Sequence, residues 1–140
     1  MLGESTLQSV MRAEPTRVAL DATVREAEQL MLDRDIRHLP VVDGETLVGL
    51  VSDRDIAFAS NDSRTNLRDQ LHVRDVCSLD FYAVDIGSSL EDVLREMAAR
   101  RIGSALVTRD GVLVGLLTAT DVYRLCADLL SEVKRGSARA

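Results

Sequence analysis

The 140-residue chain has 17 basic and 23 acidic side chains, a net charge of −6, and only two Phe, two Tyr and no Trp. An acidic chain with few aromatics is unsuited to a general nucleic-acid surface, which needs basic groups to neutralise phosphates and rings for stacking. It has no apolar run of about 18 residues and no basic-then-apolar leader, so we expect a cytoplasmic protein without membrane helices.

The first half of the chain has the pattern β-α-β-β-α. A short apolar stretch at 18–20 predicts a strand, and Thr23 with Glu26 has the spacing of a capping box that begins a helix. Asp43-Gly44 is a typical hairpin turn. The other elements expected here are strands at 39–42 and 47–51 and a second helix at 53–59.

The second half repeats the first at an offset of 66 residues. Residues 10–55 match residues 76–121 without a gap, with eleven identities in 46 pairs. The clearest part is the stretch from Gly49 to Asp55, which returns from Gly115 to Asp121. The repeat predicts strands at 83–86, 105–108 and 112–117, a helix at 89–101, and a turn at Asp110-Gly111. Each half therefore predicts the same β-α-β-β-α unit.

The repeat divides the chain into four parts. We expect a first repeat at 7–59, a polar linker at 60–70, a second repeat at 71–131 and a flexible tail at 132–140. Each repeat begins with a short lead-in. The last helix is longer than its counterpart after Asp55, and its apolar stripe either covers the sheet or packs on a second subunit.

Taken together, the two glycine-to-aspartate stretches and the segment Ile36 to Asp43 resemble the cystathionine-β-synthase (CBS) domain, here as the tandem pair called a Bateman module. The resemblance covers about residues 7–130. It implies an α/β (α+β) fold of two β-α-β-β-α repeats packed about a pseudo-twofold axis, and a disk-shaped homodimer. Pro40 has no counterpart in the second repeat, which has Leu106 there.

Ser52 with Asp55, and Thr118 with Asp121, can be interpreted in two ways. A hydroxyl followed three residues later by a carboxylate, where a strand turns into a helix, can simply cap that helix. The same groups can accept hydrogen bonds from a ribose diol, while the helix N-terminus favours phosphate. In the family the matching residues bind the ribose of adenosine-type ligands, so the resemblance implies that role for both pairs.

The resemblance also implies two unequal ligand clefts between the repeats. Arg37 and His38 occupy the position of the family's phosphate-binding pair, and Arg suits phosphate through bidentate hydrogen bonds. Gly103 and Ser104 replace that pair in the second repeat, which puts a second phosphate site in doubt. Ile36 and Ile102 would either enclose the adenine or serve as core residues. The first cleft would combine Arg37, His38, Ser52, Arg54 and Asp55 with Ser88 and Ile102, and the second Ser104, Thr118, Thr120 and Asp121 with Thr23 and Ile36. Pro40, Gly103 and Ala105 complete the set of expected ligand-binding residues.

The sequence favours a sensor over an enzyme. It has no phosphate loop of the GxxxxGK type, no nucleophile–base arrangement and no metal-ligand spacing. Cys77 and Cys126 form no CxxC pattern, and Cys77 is expected to be a small buried side chain. We expect a non-catalytic regulatory module, needing no cofactor, that binds AMP, ADP or ATP ahead of NAD or S-adenosylmethionine and acts on an unknown effector protein. The alternative is a dimerisation or protein-interaction module whose clefts stay empty.

Overall fold

The chain folds into two compact units, each built from separate segments. The computed structural model describes residues 5–59 and 70–139, so all but the last residue of the linker expected at 60–70 lies outside the described residues. The repeat-1 unit comprises Pro15–Phe81 and Gly111–Leu113. The repeat-2 unit comprises the residues up to Glu14, Tyr82–Asp110 and the residues from Val114 onward.

The repeat-1 unit contains the predicted β-α-β-β-α pattern, followed by one short helix. Val18 of its first strand pairs in parallel with Val41, and the next two strands form an antiparallel hairpin that places Leu39 opposite Val51. The elements are β2 (Val18–Ala19), α2 (Val24–Arg34), β3 (His38–Asp43), β4 (Thr46–Ser52), α3 (Asp53–Ala59) and α4 (Val73–Val76).

The repeat-2 unit has the same pattern, preceded by a short helix and strand. Its parallel pair places Val84 opposite Val107, and the two hairpin strands are neighbours in the sheet. The elements are α1 (Leu7–Val10), β1 (Arg12–Ala13), β5 (Ala83–Asp85), α5 (Leu90–Arg100), β6 (Ser104–Arg109), β7 (Val112–Thr118) and α6 (Ala119–Arg139). The first two residues of β7, Val112 and Leu113, are counted with the repeat-1 unit. The predicted fold class, two β-α-β-β-α repeats of mixed α/β structure, is confirmed.

Local sequence explains where the central helices begin and end. Thr23 and Glu26 form the predicted capping box of α2, and the Ser89 side chain caps α5. Both helices end in a left-handed residue, Asp35 (φ 51°) and Arg101 (φ 56°). These non-glycine residues turn the chain sharply out of the helix and into β3 or β6.

Each unit has its own apolar core. In the repeat-1 unit the core is formed by Val18, Val24, Ala27, Met31, Leu39, Val41, Val51, Ile56 and Val73. In the repeat-2 unit it is formed by Leu7, Leu90, Val93, Met97, Ala105, Val107 and Leu117. Cys77, expected to be buried, is half-buried and packs against the repeat-1 core.

The lead-in segments, residues 5–14 and 71–81, pack with the opposite repeat. Residues 5–14 lie at the start of the repeat-1 half of the sequence but belong to the repeat-2 unit, where β1 pairs antiparallel with β7. Residues 71–81 lie at the start of repeat 2 but belong to the repeat-1 unit, where Ser78 forms a bridge with Leu50 of β4. The compact units are therefore a different partition of the chain from the sequence repeats.

Helix α6 is longer than the sequence pattern indicated. Residues 132–139, expected to form a flexible tail, continue the helix as far as Arg139. The physical reason is composition, because Glu132, Lys134 and Arg135 are good helix formers although they interrupt the apolar pattern. None of the helices in the described part of the chain has the length and apolar character needed to cross a bilayer.

Candidate functional site

In repeat 1, the candidate ribose-binding pair lies where β4 passes into α3. One carboxylate oxygen of Asp55, Oδ2, accepts a hydrogen bond from the Ser52 backbone N at 2.8 Å. In return the Asp55 backbone N donates to Ser52 Oγ at 3.1 Å. This reciprocal pair of bonds is a capping box, so the structural interpretation of the motif is correct in its geometry. It leaves Asp55 Oδ1 without a hydrogen bond from any residue that the structure describes.

The neighbouring strand brings the basic residues of the same repeat to this junction. His38 of β3 lies directly opposite Ser52 of β4, and the Asp53 backbone N donates to the Arg37 carbonyl at 2.9 Å. The side chains of Arg37, His38 and Arg54 are exposed. The backbone thus brings the positions of Ser52, Asp55, Arg37, His38 and Arg54 to one end of this hairpin, and their joint contact with a ligand stays a prediction.

In repeat 2, Thr118 and Asp121 form the corresponding junction between β7 and α6. Asp121 Oδ2 accepts from the Thr118 backbone N at 2.9 Å and from Thr118 Oγ1 at 2.9 Å. Asp121 is the one charged residue that falls in the buried class in the described part of the chain, at 5% exposure. A buried carboxylate needs partners, because losing water without replacement bonds is costly.

The other oxygen of Asp121 is occupied. Arg12 of β1 donates from Nε to Asp121 Oδ1 at 3.4 Å, and Arg124 Nη1 lies 3.9 Å from the same atom. Arg12 was not among the residues that the motifs singled out. The available signal was the repeat itself, which aligns Arg12 with Ser78 and so places a cation in one copy only.

The residues that replace the phosphate-binding pair in repeat 2 also lie beside their capping box. The Ala119 backbone N donates to the Gly103 carbonyl at 2.9 Å, matching the bond between Asp53 and Arg37 in repeat 1. An added Cβ at Gly103 would meet no atom within 4 Å, so this position opens to space. Ser104 is half-buried and Thr120 is exposed.

The residues expected to reach across from the other repeat have local roles within their own units. Thr23 Oγ1 accepts from the Glu26 backbone N at 3.1 Å as the cap of α2. Ile36 and Ile102 are partly buried and pack against the cores of their units. Ser88 is half-buried and lines a groove of the repeat-2 unit. Their contact with a ligand stays a prediction.

Pro40 and Ala105 differ from the other predicted site residues. Both belong to the buried class, Pro40 among the largest fully buried side chains and Ala105 in the repeat-2 core. Their side chains have no surface to offer a ligand in this structure, because β3 and β6 direct them into the packed interior. A ligand could meet these two positions only through the backbone.

Two cavities do not include the four residues of the candidate ribose-binding pairs. One of about 470 Å³ in the repeat-1 unit is lined by Ile36, Arg37 and Asp53 together with residues of α2 and Ile56. A larger groove of about 860 Å³ in the repeat-2 unit runs between α5, α6 and residues 5–8. Neither is lined by Ser52, Asp55, Thr118 or Asp121. Among the described residues, no group of three or more His, Cys, Asp or Glu side chains is placed to hold a metal ion.

Comparison with known proteins finds the same domain in both halves of the chain. A family model described as "CBS domain" matches residues 7–62 and 73–128. The CBS domain-containing protein YhcV of Bacillus subtilis is 30% identical over 135 residues, which cover 96% of this chain and 92% of YhcV. Inosine-5'-monophosphate dehydrogenase of Korarchaeum cryptofilum is 36% identical over 107 residues, and the match spans 76% of this chain but only 21% of that protein.

Solved structures agree with the fold. AcuB of Vibrio cholerae superposes with a TM-score of 0.83 and 29% identity, covering 94% of this chain and 96% of that one. The CBS domain pair of protein MJ0100 was solved in complex with 5'-methylthioadenosine and S-adenosyl-L-methionine. It has a TM-score of 0.74 and 22% identity, covering 89% of this chain and 97% of that one. At that identity the likeness is one of fold.

Proposed function

Since the chain belongs to the CBS-domain family and carries two copies of that domain in tandem, we propose that it is a regulatory module that binds an adenine nucleotide. AMP, ADP or ATP would lie in clefts between the repeats, and binding would signal energy or metabolite state. The module is non-catalytic and needs no cofactor. The nucleotide would act by binding two conformations or two assembly states of the module with different affinity, since a ligand can shift an equilibrium only through that difference.

The observation that carries the proposal is the unequal use of the two oxygens of Asp55. Oδ2 is held at 2.8 Å by the Ser52 backbone N, which fixes the carboxylate in one orientation. Oδ1 accepts no bond from any described residue. A rigid carboxylate at a helix N-terminus, with one oxygen that no described residue occupies, suits a neighbouring pair of hydroxyls, such as a ribose diol.

The charge around Asp55 supports a phosphorylated ligand. Arg37, His38 and Arg54 are exposed on the strand and helix ends next to this carboxylate. An Arg guanidinium binds phosphate through paired hydrogen bonds. S-adenosylmethionine carries a cationic sulfonium in place of phosphate, so the same side chains favour AMP, ADP or ATP over it. The ligands of MJ0100 are adenosine derivatives, which supports the nucleoside part of the proposal only.

Thermal unfolding of the full chain with AMP, ADP, ATP, NAD and S-adenosylmethionine tests the proposal. A ligand at 100 times its Kd stabilises by about 2.7 kcal/mol, which raises Tm by roughly 5–10 °C for a chain of this size. We expect an adenine nucleotide to raise Tm. Asp55→Ala should abolish the part of that rise that comes from binding at the first motif. Asp55→Asn, which keeps a capping oxygen, separates ligand binding from helix capping because it should retain stability yet weaken the nucleotide.

Asp75→Ala provides the matched control. Asp75 Oδ2 accepts from the His72 backbone N at 2.9 Å, so this carboxylate closes a capping box on α4 with no proposed ligand role. The substitution should lower the free energy of unfolding by about 0.5–2 kcal/mol through the loss of a cap, and so lower Tm. It should leave the nucleotide-induced rise in Tm intact. If no ligand raises Tm, or if Asp75→Ala removes the rise as Asp55→Ala does, Asp55 is a helix cap and the proposal fails.

A second candidate function, a homodimerisation module without a ligand, is favoured by the surface of α6. Tyr123, Cys126, Leu130 and Val133 are all exposed, and their helical spacing places them on one face. Such a stripe on a helix suits a second copy of the chain. A homodimer is compatible with the sensor as well, so the two functions are separated by the nucleotide response.

A further inference from the structure

The capping boxes of Asp55 and Asp121 use the carboxylate oxygen Oδ2 in the same way but differ in the partners of the other oxygen, Oδ1. Oδ2 of each aspartate accepts from a backbone N, that of Ser52 at 2.8 Å or Thr118 at 2.9 Å. Oδ1 of Asp121 also accepts from Arg12 Nε at 3.4 Å. Oδ1 of Asp55 has no partner among the residues that the structure describes. The difference lies in the oxygen that a ribose diol would need.

The repeat supplies the reason. Arg12 lies opposite Leu116 in the pairing of β1 with β7, and Ser78 lies opposite Leu50 in the matching bridge of the repeat-1 unit. Both members of each pair are offset by 66 residues, so Arg12 and Ser78 are equivalent positions. Ser78 Oγ bonds locally, donating to the Asp80 carbonyl at 3.1 Å and accepting from the Asp80 N at 3.2 Å. The short serine side chain therefore places no cation on Asp55 Oδ1, and no other described residue donates to that oxygen.

We propose that Arg12 determines which of the two motifs is available to a nucleoside, because it competes with the ribose for Oδ1 of Asp121. This inference rests on the proposed function. The Arg12 backbone is held in β1, but its side chain is 53% exposed. The Asp121 side chain is 4% exposed. The cation can move into water when a ligand arrives, so Arg12 is a displaceable competitor. The Asp55 motif binds first, and the Asp121 motif binds more weakly.

The test exchanges the two equivalent residues and uses adenosine as the probe, since adenosine has no phosphate to attract Arg12 by itself. Calorimetric titration is made with Asp55→Ala chains, in which only the second motif can bind, with and without Arg12→Ser. We expect Arg12→Ser to tighten adenosine about two- to fivefold, the equivalent of up to about 1 kcal/mol, because Arg12 is the solvent-exposed member of the ion pair. In Asp121→Ala chains, Ser78→Arg should weaken adenosine at the first motif by a similar factor.

Arg124→Ser is the matched control, because Arg124 Nη1 lies 3.9 Å from Asp121 Oδ1, beyond hydrogen-bond reach. It removes the same charge without vacating the oxygen, so it should change adenosine affinity less than Arg12→Ser does. Equal effects of the two substitutions, no change, or weaker binding in Arg12→Ser would overturn the inference. If the unsubstituted chain binds adenosine or AMP and these variants do not differ, only this inference fails. If no chain binds either compound, the proposed function fails with it.

Since Arg12→Ser leaves a buried carboxylate with fewer partners, Ser78→Arg keeps the inference testable if that variant is unstable. Ser78 is half-buried at the end of a lead-in segment, and its substitution leaves Asp121 and its bonds unchanged. If Ser78→Arg leaves the affinity for adenosine at the Asp55 motif unaltered, that result alone contradicts the proposed competition.

Discussion

Gly49 and Gly115 each lie against a residue of a lead-in segment. A Cβ added at Gly115 would overlap the Met11 side chain, and one added at Gly49 would approach Cys77 Sγ and the Ser78 carbonyl, each at 3.1 Å. Met11 and Cys77 are equivalent in the repeat. Burial raises the pKa of the Cys77 thiol, and the nearby carboxylates of Asp55 and Asp75 raise it further. The glycine of the motif therefore serves packing, while the aspartate six residues later is the candidate for ligand binding.

Gly49→Ala should destabilise the chain by about 1–3 kcal/mol, because a methyl group would be forced against packed atoms. The Ser78 carbonyl cannot move away easily, since it accepts from the Leu50 backbone N at 3.0 Å. Urea unfolding of the full chain measures the change. Gly103→Ala is the control, as its added Cβ meets nothing within 4 Å, and it should stay within about 0.5 kcal/mol. Equal losses in both variants would show that Gly49 is not needed for close packing.

Helix α6 has two parts with different surroundings. Its first turns pack on the repeat-2 core through Val122 and Leu125, whereas Tyr123 and Leu130 are 71% and 69% exposed. An apolar side chain that remains this exposed contributes nothing to the core of its own unit. At the scale of the element, the second face of α6 is thus the surface that we propose for a homodimer.

Leu130→Asp should abolish or weaken self-association while leaving the fold of the single chain intact. A charge buried against apolar side chains is unfavourable, but at an exposed position it changes stability by only about 0.5 kcal/mol. Sedimentation equilibrium of the full chain measures the change in mass. Asp128→Lys, on the opposite side of the same helix, is the control and should leave the mass unchanged. An unsubstituted chain that sediments as a monomer would rule out this surface as a stable homodimer interface.

At the scale of the whole molecule, neither half of the sequence contains a complete unit. Leu7 is 1% exposed within the repeat-2 core, and its repeat equivalent Val73 is 0% exposed within the repeat-1 core. Removing a buried Leu or Val side chain costs about 1–5 kcal/mol. A half deprived of the lead-in that completes its core therefore loses a large part of the stability typical of a small domain.

Cutting the chain between residues 64 and 65 should accordingly yield two fragments that fold together but not apart. Each fragment keeps a lead-in that belongs to the other's core and lacks its own. Circular dichroism and thermal unfolding of the separate and mixed fragments measure this. The uncut chain sets the reference signal. Two fragments that unfold cooperatively on their own, with no gain on mixing, would contradict the exchange of lead-ins.

The parts of the fold that depend on neighbouring residues were predictable from the sequence. The Thr23–Glu26 capping box and the Asp110-Gly111 turn, with φ of 53° and 81°, follow from local patterns. The packing of Leu7 did not follow, because an apolar residue at helical spacing predicts burial but not the core that receives it. Long-range pairing of β1 with β7 decides that question.

The candidate site was predictable to the same extent. The motifs located Ser52, Asp55, Thr118 and Asp121, since those contacts span three residues. They could not show that Arg12 Nε lies 3.4 Å from Asp121 Oδ1, because the two residues are 109 positions apart in the sequence. Nor could they show that Pro40 and Ala105 point into the interior, because the direction of a strand's side chains is set by the whole sheet.

The exchange of lead-ins has a consequence for how such a protein could have arisen. A chain with a single repeat could complete its core only with a lead-in taken from a second molecule, so its folding would depend on protein concentration. Joining two repeats in one chain replaces that encounter with an intramolecular one, at an effective concentration on the order of millimolar for a short connection. Duplication with fusion would thereby have made folding independent of protein concentration. Equivalent positions of the two repeats could then carry different residues, as Arg12 and Ser78 do.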